Sequence, residues 1–328
     1  MKKLSIAPIA TLAITLFTAA LLPPFADAQK NTETLFARSS SKPISQDADG
    51  FGKPPHSIAF QSNRDGNNEI YVMNLDGSEQ TRITMDSRSD QRPDVSPSGK
   101  QIVFASNRIT ATNLTGDFEI FVMNSDGTEV RQLTFNGAED SWPRWSPNGK
   151  WIAFHSNASG NFEIYVITPD GEFLTPVTDY AGLDQFPEWS PNGKQLAIRR
   201  DTDIYLIDLD GANPLQLTAG NPGFNQMASW SPDGRRLAFL STREGYPAVF
   251  VMDVDGSNQI NLTPKPDDVL TSAWSSRAPA WSRNGQNIYF TGRRPATSVT
   301  ENIFVMNADG TGETQLTFTG VNAEAAVR

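Results

Sequence analysis

The chain lacks most of the residues on which enzymatic and metal sites are built. It contains no cysteine among its 328 residues, which excludes disulfides, thiolate nucleophiles, a lipoprotein anchor and zinc sites built on sulfur. Only two histidines occur, and there is no G-x-S-x-G nucleophile elbow. The formal net charge of −10 repels phosphate backbones, so nucleic acid is not predicted as a partner. Neither a cofactor nor a catalytic residue is therefore predicted.

Long apolar runs are also scarce, and the one present lies at the N-terminus. Lys2 and Lys3 precede an apolar stretch over residues 4–22 and an A-x-A cleavage site at 26–28, a pattern that predicts a signal peptide over residues 1–28. The alternative is an uncleaved membrane anchor, since the stretch is nearly long enough to cross a bilayer. We expect an exported protein, periplasmic or secreted, without stable membrane insertion after cleavage.

A repeat of about 45 residues fills most of the remaining chain, after a polar lead-in over residues 29–56 that we expect to be flexible. Its most recognisable part is a strand followed by an Asp-Gly turn. Six copies occur: EIYVMNLDG (69–77), EIFVMNSDG (119–127), EIYVITPDG (163–171), DIYLIDLDG (203–211), AVFVMDVDG (248–256) and NIFVMNADG (302–310). Self-similarity at this spacing indicates a radial or linear repeat fold.

Each repeat contains four strand-length apolar runs separated by turns. In the copy over 140–178, the Ser-Pro-Asn-Gly turn at 146–149 and the Pro-Asp-Gly turn at 169–171 stop a helix from continuing. One copy is then a four-stranded antiparallel meander, too small to bury both of its faces alone. We therefore predict an all-β fold over residues 57–328, a six-bladed β-propeller of four-stranded antiparallel blades.

The ends of the chain have to close this ring. The first copy has no recognisable first strand before it, and the sixth copy is followed only by the C-terminal tail. Counting from the repeat places residues 324–328 where the missing strand belongs, so we predict that the tail completes the first blade. The competing interpretation is that residues near 45–55 seal the ring.

A tryptophan or its substitute ends the first strand of the repeats, at Val95, Trp145, Trp189, Trp230 and Trp281. We interpret these side chains as packing between blades, because stacked twisted sheets bury large side chains on both faces. A sugar-stacking platform is the alternative interpretation.

Polar side chains are predicted to surround the mouth of the channel. One set of loops carries Asp90, Asp140, Asp184 and Asn225, with Arg92, Arg144 and Glu188 nearby, and a second set on the same face carries Arg64, Arg108, Arg243 and Arg293. Two interpretations stay open. Each Asp could accept backbone N–H groups and pair with an Arg of a neighbouring blade, or the groups could form a polar funnel that receives a peptide or glycan.

Trp274 and His155 are two further candidates for the site. Trp274 lies outside the repeat register in a long loop, so it either contacts a partner or fills a gap between blades five and six. His155 has no second histidine nearby, which makes it a weak metal ligand and favours a packed strand residue. No D-x-D-x-D-G loop supports calcium at Asp90, Asp140 and Asp184, so no metal site is predicted.

The pattern D-x-x-P-x-W-S-P-[ND]-G-K, followed by I-A-F-x-S-N-R and E-I-Y-V-M-N-x-D-G, resembles the WD-like β-propeller repeat of the TolB family. The resemblance covers the propeller and not the α/β domain that precedes it in TolB. It implies a non-catalytic scaffold of the cell envelope that binds an envelope protein, a peptide or a glycan, with a peptidoglycan-associated lipoprotein as the candidate partner. The alternative function is a metal-dependent carbohydrate lyase or lactonase with its site at the channel mouth.

Overall fold

The computed structural model of the protein describes residues 58–267, 270, 274–294 and 298–327. These residues form strands and turns, and none of the described segments is a helix long and apolar enough to cross a membrane. Residues 1–57 lie outside the described residues, so the signal peptide over 1–28 and the flexible lead-in over 29–56 stay predictions.

The described residues form 24 strands. In chain order they are β1 (Ile58–Ser62), β2 (Glu69–Met73), β3 (Thr81–Arg82), β4 (Asp90–Val95), β5 (Gln101–Ser106), β6 (Glu119–Asn124), β7 (Arg131–Gln132), β8 (Asp140–Trp145), β9 (Ile152–Ser156), β10 (Glu163–Ile167), β11 (Leu174–Pro176), β12 (Asp184–Trp189), β13 (Gln195–Arg200), β14 (Asp203–Asp208), β15 (Leu215–Gln216), β16 (Asn225–Trp230), β17 (Arg236–Ser241), β18 (Ala248–Asp253), β19 (Ile260–Asn261), β20 (Ser275–Trp281), β21 (Asn287–Arg294), β22 (Ser298–Asn307), β23 (Thr314–Gln315) and β24 (Asn322–Val327).

These strands form six four-stranded antiparallel sheets. Blade 1 is β24-β1-β2-β3, and blades 2 to 6 are β4 to β7, β8 to β11, β12 to β15, β16 to β19 and β20 to β23. The inner strands β4, β8, β12, β16, β20 and β24 contact one another in turn around the ring. The predicted six-bladed propeller is confirmed, and its inner strands surround a central channel.

The C-terminal strand closes the ring, as predicted. β24 pairs antiparallel with β1, with Ala59 opposite Ala326 and Ser62 opposite Asn322. The strand begins at Asn322, two residues before the predicted segment. Blade 1 therefore combines strands from opposite ends of the described chain, and the alternative closing segment near 45–55 lies outside the described residues.

A threonine side chain extends each short outer strand. The outer strands contain two or three residues, so they form few backbone hydrogen bonds with the third strand. The next threonine adds one: Thr134 Oγ1 accepts the N–H of Ile120 at 2.9 Å. The same bond recurs in all six blades, at Thr84, Thr134, Thr178, Thr218, Thr263 and Thr317. This bond explains why Leu-Thr, or Ile-Thr and Val-Thr, recurs in the sequence.

The tryptophans at the end of the inner strands pack between blades, as predicted. Trp145 of blade 3 lies in one buried cluster with Val103 and Leu133 of blade 2. Trp230 and Trp281 pack in the same way against the blades before them. The core of the propeller is therefore divided among the interfaces between blades, with each indole covering the preceding sheet.

The closing pair can be tested by an engineered disulfide, since the chain has no other cysteine. In Ala59→Cys/Ala326→Cys the two residues are direct partners across β1 and β24. We expect a disulfide that raises the free energy of unfolding by about 3 kcal/mol or more, because it closes almost the whole propeller into one loop. Denaturant unfolding with and without reductant measures the gain, and failure of the pair to oxidise contradicts the closure.

Candidate functional site in the central channel

A β-bulge interrupts every inner strand, at the third and fourth residues in five blades and at the fourth and fifth residues of β20. In β4 the register shifts between Gln91 and Asp94, so two residues stand opposite one residue of β5. The first residue of each bulge has a positive φ of 48° to 57°. We call these six the bulge residues: Arg92, Trp142, Phe186, Met227, Ala278 and Glu324. In four blades the next residue is a proline. Proline has no N–H to donate to the neighbouring strand, and none is required at a bulge.

The bulges are held in place from the preceding blade. The N–H of Arg92 donates to Gln61 Oε1 at 3.0 Å, and that of Glu324 donates to Thr291 Oγ1 at 2.9 Å. His155 does the same for Phe186, accepting its N–H at Nδ1 over 3.2 Å. His155 is buried, and burial lowers its pKa well below the ordinary value, which keeps Nδ1 free to accept. The predicted packed role of His155 is confirmed.

The bulge residues face a cavity of about 140 Å³ in the channel. Five of them line it, together with the inner-strand residues two positions after each bulge residue. On one side these residues are charged, namely Asp94, Arg144 and Glu188, and on the other side they are small, namely Ser229, Ala280 and Ala326. Trp142 and Phe186 meet edge to face at 4.7 Å above the charged side. The cavity therefore has one charged aromatic wall and one small wall.

The charges of this wall are paired within the protein. Arg144 Nε donates to Glu188 Oε2 at 2.9 Å, and Asp94 Oδ2 accepts the N–H of Trp145 at 2.6 Å. Burial raises the pKa of Glu188, which lines the cavity, to about 7. Burial also raises the pKa of Asp94, and Arg144 opposes both shifts. Near neutral pH the Glu188 carboxyl is therefore only partly protonated, and a charged ligand would change that fraction.

Unpaired donors also border the cavity. The buried indole N–H groups of Trp230 and Trp281, both of which line it, have no hydrogen-bond partner within the described chain. Buried donors of this kind are usually satisfied by water or by a ligand. No group of three or more His, Asp or Glu residues within the described ranges could hold a metal ion. The geometry suits binding of a small polar or aromatic group.

The residues that the sequence singled out lie elsewhere, at the start of each inner strand. Asp90, Asp184 and Asn225 are fully buried. Their partners are arginines: Arg108 donates to Asp90 at 2.8 Å, Arg200 donates twice to Asp184, and Arg243 donates to Asn225 at 2.9 Å. Arg64 binds Asn322 in the same way. The sequence had suggested pairing with an arginine of a neighbouring blade, and this expectation is wrong. Each arginine belongs to the same blade as its partner.

These clamps tie the second strand of a blade to its inner strand. Such pairs are bidentate or charge-assisted in blades 2 and 4, where the acceptor is a carboxylate. The geometry favours the structural interpretation of these residues over the polar funnel, since their polar atoms are used within the blade. A ligand role for them stays a prediction.

Blade 3 lacks the clamp because Ala158 stands where blades 1, 2, 5 and 6 have arginine, and Ser156 stands where blade 4 has Arg200. Its buried Asp140 instead lies beside the buried Glu119 of blade 2, and its Oδ2 accepts from Asn136 Nδ2 at 2.8 Å. Glu119 Oε1 and Asp140 Oδ1 have no donor among the described residues, so a proton shared by the two carboxyls would satisfy both. Burial and the neighbouring Asp140 raise the pKa of Glu119 to about 8. The pair therefore carries one proton at neutral pH.

The last two predicted residues belong to blade 6. Arg294 rather than Arg293 has the clamp position, since Arg294 Nη2 donates to Ser276 Oγ at 3.1 Å. Its guanidinium stacks on the ring of Trp274 at 3.9 Å, and Trp274 packs against the core of blade 5. Trp274 thus fills space between blades 5 and 6, which was the alternative to partner contact.

Sequence reasoning missed five of the bulge residues and named only Arg92. The sequence did contain a signal. In the D-x-x-P motif, the residue directly before the proline differs in chemical class from copy to copy, while the flanking positions repeat. Nothing in the pattern showed that this residue adopts a positive φ and faces the axis.

The shared proton predicts a pH dependence. A carboxyl with a raised pKa in the folded protein stabilises it below its unfolded pKa, and this contribution is lost as the pH rises through the folded value. We expect stability to fall between about pH 4.5 and 8, by up to about 1.4 kcal/mol per pH unit, and Asp140→Asn to flatten this slope. Denaturant unfolding at pH 5, 7 and 9 measures it. Asp184→Asn is the control, because it makes the same substitution in blade 4, where an asparagine can still accept from Arg200 as Asn225 accepts from Arg243; an unchanged slope in Asp140→Asn contradicts the pair.

His155 predicts the opposite trend. Its folded pKa is lowered, so its contribution is complete above the unfolded pKa of about 6.5 and is lost as the pH falls from there. In blade 1, Gln61 accepts the equivalent N–H, that of Arg92, so glutamine in place of His155 should keep the hydrogen bond to Phe186. Between pH 6.5 and 5, the free energy of unfolding of His155→Gln should therefore fall by about 2 kcal/mol less than that of the natural protein. His155→Leu, without an acceptor, should be destabilised at both pH values. Equal acid sensitivity of the natural protein and His155→Gln contradicts this role.

Comparison with known proteins agrees with the fold. The family model of the TolB beta propeller domain matches residues 106–202 and 174–277, more than half of the chain. TolB from Acinetobacter baumannii is similar at a TM-score of 0.69 and 23% identity over 83% of this chain and 66% of that one. A protein assigned as TolB from Agrobacterium tumefaciens reaches 0.63 and 21% over 84% and 99%. Hydrazine synthase from Kuenenia stuttgartiensis reaches 0.66 and 15% over 84% and 47%.

These identities show similarity of fold, and the chain spans just under two thirds of the Acinetobacter TolB. No curated protein matches the chain. The repeated blades, the closed ring and the matched family model together show that the chain belongs to the TolB beta propeller domain family.

Proposed function

We propose that the protein is an exported, non-catalytic binding module whose channel receives a segment of a partner protein. One observation carries the proposal. The framework positions repeat from blade to blade, whereas the six bulge residues are Arg, Trp, Phe, Met, Ala and Glu, and all of them except Arg92 line the channel cavity. A ring that needed these positions only for folding could fill them with one residue type, so their variety supports recognition of an asymmetric ligand.

The backbone at these positions supports the same conclusion. A non-glycine residue at positive φ costs about 1 kcal/mol or more, and such strain concentrates at ligand sites. Here it occurs in all six inner strands, and in three of them Gln61, His155 or Thr291 accepts the N–H of the bulge residue. The protein therefore stabilises a strained backbone that places five of the six bulge residues at the channel cavity.

The surface around the channel opening offers a second contact area. We call it the loop face: it carries the connections that lead into the inner strands. On it, the residue after the outer-strand threonine is apolar in three consecutive blades, and Met85, Phe135 and Phe318 are 80%, 59% and 71% exposed. Large exposed apolar side chains near one opening are typical of a protein-binding surface. A partner can thus contact the loop face while one of its segments enters the channel.

The partner class follows from the family. An envelope protein, with a peptidoglycan-associated lipoprotein as the first candidate, agrees with the predicted signal peptide over 1–28 and a periplasmic or secreted location. The acidic net charge of −10 suits a partner with a basic segment.

No specific observation favours the enzymatic alternative. A metal-dependent lyase or lactonase needs several ligands around one ion, and the described residues bring together no such group. Glu188, with a pKa of about 7, is the channel carboxyl best suited to proton transfer, but its oxygen is bound by Arg144.

Binding can be measured with a purified peptidoglycan-associated lipoprotein, freed of its lipid, by calorimetric titration. We expect Met227→Glu, which adds charge to the channel, and Phe318→Ser on the loop face each to weaken binding about tenfold or more, which corresponds to about 1.4 kcal/mol. Leu215→Ser is the matched control, since Leu215 is exposed on the outer strand of blade 4.

The control variant should bind like the natural protein. Absence of binding by the natural protein removes this partner from the proposal. Binding that Met227→Glu and Phe318→Ser leave unchanged removes the channel and the loop face as its site.

A further inference from the structure

The sequence contains four Asn-Gly pairs, and one of them differs from the others in its surroundings. Three lie in the turns between the first and second strands of blades 3, 4 and 6, namely Asn148-Gly149, Asn192-Gly193 and Asn284-Gly285. The fourth, Asn136-Gly137, lies in the loop between β7 and β8. An asparagine followed by glycine can modify itself, because glycine has no side chain to keep its backbone nitrogen away from the asparagine side chain. The four pairs share this chemistry and differ in structure.

The reaction needs only water. The backbone nitrogen of the glycine attacks Cγ of the asparagine, so that an N–Cγ bond forms, the Cγ–Nδ2 bond breaks, and the proton of the backbone N–H leaves with the amide nitrogen as ammonia. Water then opens the resulting succinimide ring, which yields aspartate or, where the main chain continues through Cγ, isoaspartate. The attacking nitrogen must give up any hydrogen bond that its N–H donates.

In the three turns that bond exists. The N–H of Gly149 donates to the carbonyl of Ser146 at 2.9 Å. The same bond recurs in the other two turns, from Gly193 to Ser190 and from Gly285 to Ser282. The three glycines also have a positive φ, of 68° to 70°, which belongs to the tight turn. Attack on the asparagine would require the bond to break and the turn to open, and this cost adds to the barrier.

Gly137 is not held in this way. Its N–H donates to no group within the described part of the chain, and its exposed backbone is outside the positive-φ region. A Cβ built on Gly137 meets no atom within 4 Å, so open space surrounds the position. The side-chain oxygen of Asn136 accepts the N–H of Ala138 at 2.7 Å, and this donor stabilises the negative charge that develops on the oxygen during attack. The nucleophile is therefore free, and its target is polarised.

The Asn136 amide has a structural role that the reaction would end. Its Nδ2 donates to Asp140 Oδ2 at 2.8 Å, beside the buried Glu119. These two carboxyls lie at the interface between blades 2 and 3, and a single proton is shared between them. Conversion of the amide to a carboxylate replaces a donor with a third acidic group. Because buried like charges repel, the interface becomes less stable.

We propose that Asn136 is a self-modification site, at which deamidation to aspartate or isoaspartate weakens the interface between blades 2 and 3. The modified residue directly follows Phe135, whose side chain is exposed on the loop face. Isoaspartate also lengthens the main chain of this loop. Since the reaction consumes only water, the change accumulates with the age of the molecule and depends on no enzyme or ligand.

The test follows all four pairs in one sample. Purified full-length protein is incubated near neutral pH, and conversion at each asparagine is measured by proteolysis and mass spectrometry. We expect Asn136 to convert about tenfold faster or more than the three asparagines of the turns, because no hydrogen bond has to break there. In denaturant the four pairs should convert at similar rates, since the turns no longer protect theirs.

Two variants test the mechanism and its consequence. Gly137→Ala places a methyl group where the structure has room, so the fold is kept, but the methyl group hinders the approach of the nitrogen to the side chain. It should slow conversion at Asn136 about tenfold and leave the other three rates unchanged. Asn136→Asp carries the product from the start and should lower the melting temperature by about 4 °C or more. Asn148→Asp is the matched control, since Asp233 accepts the equivalent hydrogen bonds in blade 5.

The control should melt like the natural protein. The proposal is overturned if Asn136 in the folded protein converts no faster than the asparagines of the turns, or if it leads by the same factor in denaturant. It is equally overturned if Gly137→Ala leaves the rate at Asn136 unchanged, or if Asn136→Asp melts like Asn148→Asp.

Discussion

The antiparallel pairing of β24 with β1 is the constraint on which the propeller depends. It converts a row of six sheets into a ring, so every sheet face has a neighbour and every inner strand has two. A closed ring fixes the angle between successive blades, and each interface must then be filled to nearly the same thickness. Trp145, Trp230 and Trp281 meet this requirement with one residue type. Tyr289 meets it from the opposite sheet, where the closing strand provides only Val327.

Much of the architecture was readable from the sequence because turns and repeats are local signals. The Ser-Pro-Asn-Gly and Asp-Gly turns bound the strands, the number of copies gave the number of blades, and counting within the copy placed the closing strand. The bulges were not readable. A stretch such as Trp142 to Trp145 has the apolar character of a regular strand, and only the pairing with β9 reveals that one residue is extra.

The candidate site was harder to predict for the same reason. Asp90, Asp140, Asp184 and Asn225 attracted attention because they repeat, and the structure shows that repetition here marks the framework. The clamp partners could not be assigned without the register, which decides that Arg294 rather than Arg293 meets Ser276. The residues that face the axis are the ones that do not repeat. In this fold the irregular position within a regular motif is the better indicator of recognition.

The closing pairing also determines how the domain responds to pulling. Ile58 and Val327 stand directly opposite each other at the same end of the β1–β24 ladder. Tension applied between these two residues acts across the ladder rather than along it, so the hydrogen bonds break one after another, as in a zipper, and not all at once. A load applied through Ile58 and Val327 would therefore open blade 1 at low force. A load applied through the channel and the loop face would not stretch the β1–β24 pairing.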